Sequence, residues 1–177
     1  MKSFLFLILF LISLTQVTGQ TFSKLLYSKK DKPTVLINGK VIANWDFIQK
    51  LPDGSTENMT VLKSVPNGKD QYVGTYPNLS EYGLLLASVK NAGDINTTTQ
   101  DQIRAFFQMP ATTKIYADGY LVVSDAYSFA TKSIREIELL KPDEVNFNAE
   151  TIINIWTLNK NERFNQLSIP RETQLLP

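Results

Sequence analysis

Two stretches of the chain place β-branched and other apolar residues on both sides of a polar turn pair. The first covers residues 34–42 around Asn38-Gly39, and the second covers residues 113–123 around Asp118-Gly119. Such runs are typical of a β-hairpin, because both central residues of its tight turn need a positive φ. The pattern therefore predicts two hairpins, whose turns lie 80 residues apart (119 minus 39).

A short helix and two strands are predicted after each hairpin. The predicted elements are a helix capped by Asn44 and ended by Pro52 with strands at 57–63 and 84–89, and a helix from Ser124 or Asp125 to about Lys132 with strands at 134–141 and 152–158. The last strand of each half is almost wholly apolar, which is typical of a central strand covered on both faces. The predicted fold class is α+β, with two tandem β-β-α-β-β units.

A further helix is predicted between the two units. Thr99 and Gln102 have the spacing of a capping box, and Ile103, Phe106 and Phe107 share one helical face before Pro110. We expect this helix, at about 100–109, to bridge the two halves. The predicted organisation is a signal peptide at 1–19, an N-terminal extension at 20–33, a first unit at 34–90, a bridging helix and linker at 91–112, a second unit at 113–158 and a C-terminal tail at 159–177.

The first residues predict export. Lys2 precedes an apolar run of about eleven residues, which is shorter than the roughly twenty that span a bilayer. Small residues then predict cleavage before Gln20, so we expect no stable membrane insertion by the chain itself. Because small secreted animal domains usually carry disulfides and this chain has no cysteine, a bacterial periplasm is the predicted location.

The charge and residue types narrow the function classes. Without Lys2, the 18 basic residues become 17 and match the 17 acidic ones, which argues against nucleic acid as a partner. The chain contains no cysteine and no histidine, which excludes Ser-His-Asp triads, Cys-His pairs, zinc-thiolate sites and disulfides. We therefore expect no enzyme activity, no catalytic residue, no bound metal and no cofactor.

Carboxylates are the remaining route to catalysis. Glu136 and Glu138 lie two apart on a predicted strand, and a pair of this kind is used by hydrolases. The alternative, a solvated sheet face, is favoured because the corresponding positions of the first unit are Asn58 and Thr60. Asp118 is predicted to form the hairpin turn and not to act as a base.

Several segments resemble the plug domains of TonB-dependent receptors. Residues 57–63 and 134–141 are similar to that family's Ile-Glu-x-Ile-Glu-Val-Leu-Lys strand, and the two hairpin turns are similar to its Val-Asp-Gly. Tyr76 and Gly83 occupy the outer positions of its Tyr-Gly-x-x-Gly-x-x-Gly motif, whereas Pro77 and Ser80 replace the inner glycines. The resemblance covers about 34–90 and, more weakly, 113–160.

The resemblance implies a plug without a transporter barrel, because only about seventeen residues follow the part of the chain that it covers, which ends at about 160. It implies a non-catalytic periplasmic plug or adaptor that binds an outer-membrane barrel or channel protein and occludes or gates its periplasmic opening. The protein-secretion translocon of the type IX system is a channel that suits the size and compartment. The alternative is a periplasmic peptide- or glycan-binding module that acts alone or with a TonB-dependent transporter.

Partner contacts are predicted in two places. The first is the loop at about 64–82, with Tyr72, Tyr76 and Tyr82, and the second is the tail, with Phe164, Ile169, Leu175 and Leu176. Trp45, Trp156 and the Phe106-Phe107 pair are predicted as core residues, with interface anchors as the alternative. Lys29, Lys30 and Lys32 are predicted to lie in a solvated linker, with a lipid headgroup contact as the alternative.

Overall fold

The computed structural model describes residues 24–25, 28–29, 32–63, 76, 78–79, 81–142 and 150–164. Strands dominate this part of the chain, with a few short helices, which confirms the predicted α+β class. The strands are β1 (Thr34–Ile37), β2 (Val41–Ala43), β3 (Thr56–Leu62), β4 (Leu84–Val89), β5 (Thr97–Thr99), β6 (Ile115–Ala117), β7 (Tyr120–Leu121), β8 (Ser128–Ala130), β9 (Glu136–Leu140) and β10 (Ile152–Trp156). The helices are α1 (Trp45–Gln49), α2 (Gln100–Phe106) and α3 (Lys160–Phe164), with 3-10 turns at Ala92–Asp94 and Thr131–Ser133.

The strands form two sheets. The six-stranded sheet has the order β3-β4-β1-β2-β8-β5, and the four-stranded sheet has the order β7-β6-β10-β9. In the larger sheet β1 pairs antiparallel with β2 and parallel with β4, and in the smaller sheet β6 pairs antiparallel with β7 and parallel with β10. The outer strands β3 and β9 are each antiparallel to the neighbouring strand.

Both predicted hairpin turns are confirmed. Asn38 and Gly39 have φ values of 47° and 70°, and Asp118 and Gly119 have φ values of 50° and 86°. These are the left-handed conformations that Asn, Asp and Gly adopt most readily.

A shared core lies between the two sheets. One face of the larger sheet contributes Leu36, Leu84 and Phe129, and the smaller sheet contributes Ile115 and Ile153. The prediction of a central strand covered on both faces is confirmed for β10, in which every residue is buried, whereas β4 is covered less completely, with Leu86 half-buried and Ser88 exposed. The opposite face of the larger sheet packs against α1, and a third cluster covers the outer face of the smaller sheet.

The helix predicted from Ser124 or Asp125 to Lys132 is wrong. The segment turns at 125–126, forms β8 and then the 3-10 turn at Thr131–Ser133. β8 lies between β2 and β5 and pairs with both. Tyr127 and Phe129 are both buried and lie two residues apart, which is the spacing of one face of a strand. Pairing with the neighbouring strands therefore outweighs the local helix signal.

The helix predicted at about 100–109 is confirmed but is shorter than predicted. Thr99 and Gln102 form the reciprocal capping box, and Ile103 is buried in the core between the sheets. The helix stops at Phe106 because Gln108 takes a positive φ of 54°. Phe106 is 79% exposed, so its predicted packing role is wrong, whereas Phe107 is half-buried.

Candidate functional site

An apolar groove lies beside α1 on the outer face of the six-stranded sheet. Because α1 has only five residues, it covers part of this face and leaves a groove of about 250 Å³. The groove is lined mainly by apolar side chains, among them Pro33, Val35, Ala43, Trp45, Leu85 and Leu158. Trp45 is 46% exposed, which is unusual for the largest apolar side chain of the chain.

The start of α1 fixes Trp45 at the edge of this groove. The buried side chain of Asn44 accepts a hydrogen bond from the Phe47 amide (2.9 Å) and donates one to the Thr157 carbonyl (2.8 Å). Its backbone N–H also donates to the Ser133 hydroxyl at 3.2 Å. This N-cap holds α1 against the chain that follows β10, so Trp45 is held in place by a satisfied buried amide.

Ion pairs border the groove. Lys32 Nζ lies 3.0 Å from Glu162 Oε1, and Arg135 Nη2 lies 3.1 Å from Asp46 Oδ2. Burial by itself would raise the pKa of Glu162, but the backbone N–H of Asn159 and the Lys32 ammonium outweigh this and lower the pKa overall. The groove is therefore an apolar depression whose rim carries charged side chains that pair with one another.

A larger cleft of about 770 Å³ lies on the other side of α1. Charged side chains of both signs line it: Lys50, Lys90, Lys132, Arg135, Asp46, Asp53 and Asp94. Because these charges nearly balance, the cleft has no strong preference for an anionic or a cationic ligand.

Three of the seven predicted partner-binding residues, Tyr76, Tyr82 and Phe164, lie within the described part of the chain. Tyr76 is half-buried, with its ring 6.5 Å from that of Tyr127, and the ring of Tyr82 lies 6.5 Å from that of Tyr120. Phe164 is the last residue of α3. Tyr72, Ile169, Leu175 and Leu176 lie outside the described residues. The partner-binding role of all seven stays a prediction.

The predicted solvated linker and the alternative, a lipid headgroup contact, are both wrong for Lys29. Its side chain is 5% exposed, and its Nζ donates to Thr34 Oγ1 at 2.6 Å and lies 3.5 Å from Asp118 Oδ2. Burial lowers the pKa of Lys29, and the Asp118 carboxylate opposes this only in part. Lys32 is the partly exposed member of the cluster and pairs with Glu162, and Lys30 lies outside the described residues.

Asp118 forms the turn, as predicted, and also has a buried structural role. Its two carboxylate oxygens accept from the Thr157 amide at 2.6 Å and from the Thr157 hydroxyl at 2.7 Å. The Lys29 amide donates to the Asp118 carbonyl at 2.9 Å. This cluster joins the N-terminal segment, the β6–β7 turn and the end of β10.

The two candidate carboxylates of β9 also have structural partners. Glu138 Oε2 accepts from the Trp156 indole at 2.6 Å and from the Asn154 amide at 3.2 Å. Glu136 Oε2 lies 2.9 Å from Arg163 Nη1. Both residues are half-buried, so the predicted solvated sheet face is found only in part. Each carboxylate stabilises the packing of β10 or α3.

High pH is expected to destabilise the protein through its buried tyrosines. Burial, together with the nearby Glu150 charge, raises the pKa of Tyr116 from 10.0 to about 12. A group with a raised folded-state pKa contributes its full stability below the unfolded value and loses it as the pH rises through the folded value. Stability should therefore fall between about pH 10 and pH 12, by about 2–3 kcal/mol from Tyr116.

Urea unfolding across this range would measure the effect, with Tyr116→Phe as the variant. Below pH 10.5 the lowered pKa of Lys29 contributes the opposite slope, so the window above that value isolates the tyrosines. An unfolding midpoint that falls equally in Tyr116→Phe and in the unchanged protein would contradict this assignment.

Comparison with protein-family models, with curated protein sequences and with solved structures finds no match to this chain. Among the described residues, no helix is long and apolar enough to cross a membrane.

Proposed function

We propose that this protein is a non-catalytic periplasmic plug or adaptor that binds an outer-membrane channel and occludes or gates its periplasmic opening. The observation that carries this proposal is the exposed Trp45 beside an apolar groove. Exposed apolar side chains next to a groove mark sites of protein–protein contact, and tryptophan is enriched among the residues that dominate such contacts.

Equivalent hydrogen bonds support two tandem plug-like units. In the first half, the Asn38 amide donates to the Ala87 carbonyl (2.9 Å), and the Asn38 side chain accepts from the Val89 amide (2.8 Å). In the second half, the Asp118 amide donates to the Ile155 carbonyl (2.8 Å), and the Asp118 side chain accepts from the Thr157 amide (2.6 Å). Each turn is thus fastened to the end of the last strand of its own half.

The order of the strands supports the same interpretation. The first half has the order β3-β4-β1-β2, and the second half has the corresponding order β9-β10-β6-β7. Among the described residues, the helix of the β-β-α-β-β pattern is found in the first half alone. We infer a first unit with a helix and a second unit in which β8 replaces the helix and joins the larger sheet.

The mechanism would be steric. The two sheets share one core, so the body can fill an opening without deforming. The resemblance to plug domains, the export signal and the size together favour the type IX secretion translocon, in which this chain would have the role of the separate Plug protein. Binding energy would come from the groove, with Trp45 as the anchor.

The second candidate function is a periplasmic peptide- or glycan-binding module. The cleft of about 770 Å³ favours it, because its size lies within the range of small-ligand sites. Lys50→Glu, which changes the charge of that cleft, should then alter ligand binding by a protein that needs no channel.

Membrane fractionation with a matched pair of aromatic variants tests the channel proposal. We expect Trp45→Ala to move the protein from the envelope fraction to the soluble periplasmic fraction, with a loss of affinity of roughly tenfold or more. Phe106→Ala removes another exposed aromatic ring, on α2, and should leave the distribution unchanged. Equal retention of both variants in the envelope fraction would contradict a role for the groove.

A further inference from the structure

β3 forms one edge of the six-stranded sheet. Six of its seven residues pair with β4 on one side, with a register shift at Glu57, and no strand pairs with the other side within the described residues. An open edge presents unpaired backbone N–H and C=O groups, and such edges pair with other strands unless charges or prolines block them. Met59 and Val61, near the middle of β3, are 47% and 61% exposed.

Two rows of apolar side chains cross the α1 face of this sheet and end at β3. The first row is Ala43, Val35, Leu85 and Val61, and the second row is Val41, Ile37, Ala87 and Met59. The rows are buried or half-buried as far as β4 and become exposed only at β3. Each row therefore ends on an apolar side chain with solvent on its outer side.

We propose that two copies of the chain pair antiparallel through β3 and form one continuous sheet of twelve strands (six from each copy) across a two-fold axis. The axis passes through Thr60, so that Thr60 of one copy lies opposite Thr60 of the other. Met59 then faces the second copy's Val61, and Val61 faces the second copy's Met59. The first apolar row of each copy continues directly into the second row of the other, which buries both exposed ends.

Charge complementarity selects this register. With Thr60 on the axis, Glu57, at the register shift near the start of β3, comes to the same end of the pairing as Lys63 of the other copy, which follows the end of β3. Opposite charges therefore meet at both ends of the pairing. With Met59 on the axis, Glu57 would face Val61 and Lys63 would have no partner. With Val61 on the axis, Lys63 would face Met59. If the register between the two β3 strands shifted by one residue, the apolar side chains of the two copies would lie on opposite faces of the continuous sheet.

The other described sheet edges are less suited to self-pairing. β9 carries Glu136 and Glu138, and antiparallel self-pairing centred on that strand would place Glu138 directly opposite Glu138. β5 has three residues, and β7 has two, with a bridge from Lys24 already on it. The small net charge of +1 offers little long-range repulsion between copies.

A single introduced thiol tests the pairing, because the chain has no cysteine of its own. Directly opposed residues of antiparallel strands have Cα atoms roughly 4.5–5.5 Å apart, which a disulfide spans. We expect Thr60→Cys to form a disulfide-linked dimer rapidly on mild oxidation. Leu139→Cys, a 38% exposed position on the edge strand β9, is the matched control and should cross-link only slowly.

Sedimentation equilibrium tests the register. We expect a mass twice that of the monomer, and a dimer weakened roughly threefold or more by Lys63→Glu, which places two acidic residues opposite each other. Adding Glu57→Lys to Lys63→Glu restores opposite charges and should restore the dimer.

Three results would overturn the proposal. They are a monomeric mass at every concentration, cross-linking of Thr60→Cys no faster than that of Leu139→Cys, and a dimer unaffected by Lys63→Glu. A protein that is monomeric alone and cross-links through position 60 only to a channel would also overturn self-pairing and assign the edge to the channel. None of these results depends on whether the groove at Trp45 binds a channel.

Discussion

Asp118→Asn is expected to lower the free energy of unfolding by about 3–5 kcal/mol. The substitution leaves the Lys29 ammonium, which is 5% exposed, without its counter-charge in the interior. Asparagine tolerates the φ of 50° at this position, so the backbone of the turn gives no competing explanation. The loss should be visible as a shift of the urea unfolding midpoint at neutral pH.

A double-mutant cycle separates the ion pair from the rest of the cluster. Lys29→Met removes the ammonium while Asp118 keeps its two hydrogen bonds from Thr157, so it should destabilise less than Asp118→Asn. The double variant should recover part of the loss, because no unpaired buried charge remains. An Asp118→Asn variant within about 1 kcal/mol of the parent protein would contradict the structural role of this pair.

Gly119→Ala is the second substitution for which we expect a large effect. A Cβ atom at this position would lie 2.4 Å from Ser28 Cα and 2.7 Å from Ser28 Cβ, so the N-terminal segment would have to move. That movement would disturb the Leu25 amide, which donates to the Gly119 carbonyl at 2.7 Å, and expose the buried Leu25 side chain. We expect a loss of about 3 kcal/mol or more from strain, clash and lost burial combined.

Gly54→Ala is the matched control for backbone strain. Gly54 has a similar φ of 74°, but a Cβ atom there would have nothing within 4 Å. It should therefore cost only about 1–2 kcal/mol, the strain of a left-handed alanine. Equal losses in the two variants, with no increase in proteolysis near Ser28 in Gly119→Ala, would show that the close approach of the N-terminal segment has no energetic weight.

The sequence predicted best where the signal is local. The two turns follow from residues that accept a positive φ, and the start of α2 follows from the Thr99–Gln102 capping box. The central strands follow from apolar runs such as β10. β8 could not be predicted in this way, because Ser128–Ala130 becomes a strand only by pairing with β2 and β5, which are distant along the chain.

Charge pairs between residues distant along the chain could not be predicted from the sequence either. Lys29 lies in a lysine-rich stretch that resembles a solvated linker, and its partner Asp118 is 89 residues away. Arg104 is buried and donates hydrogen bonds to the Thr113 carbonyl and to the Asp125 carboxylate. The helical pattern of α2 does not predict either partner. Charged residues of this kind are recognised only when the fold brings their partners together.

One feature of the sequence indicates the apolar groove beside α1. A helix confined between Asn44 and Pro52 is too short to cover a sheet of six strands, and Trp45 begins it. Trp45 shares a side of α1 with Ile48, three residues on, but it lies at the start of the helix beside the N-cap and is 46% exposed, whereas Ile48 is buried. Trp156, by contrast, lies in the central strand β10 and is buried.

Co-purification from the host's own envelope in mild detergent tests channel binding most directly. We expect the tagged mature protein to retain a stoichiometric, large outer-membrane barrel protein, identified by mass, and to lose it when Trp45 is replaced by alanine. A protein that elutes with no envelope partner would contradict the plug proposal, and the cleft beside α1 would then be tested against peptides and glycans.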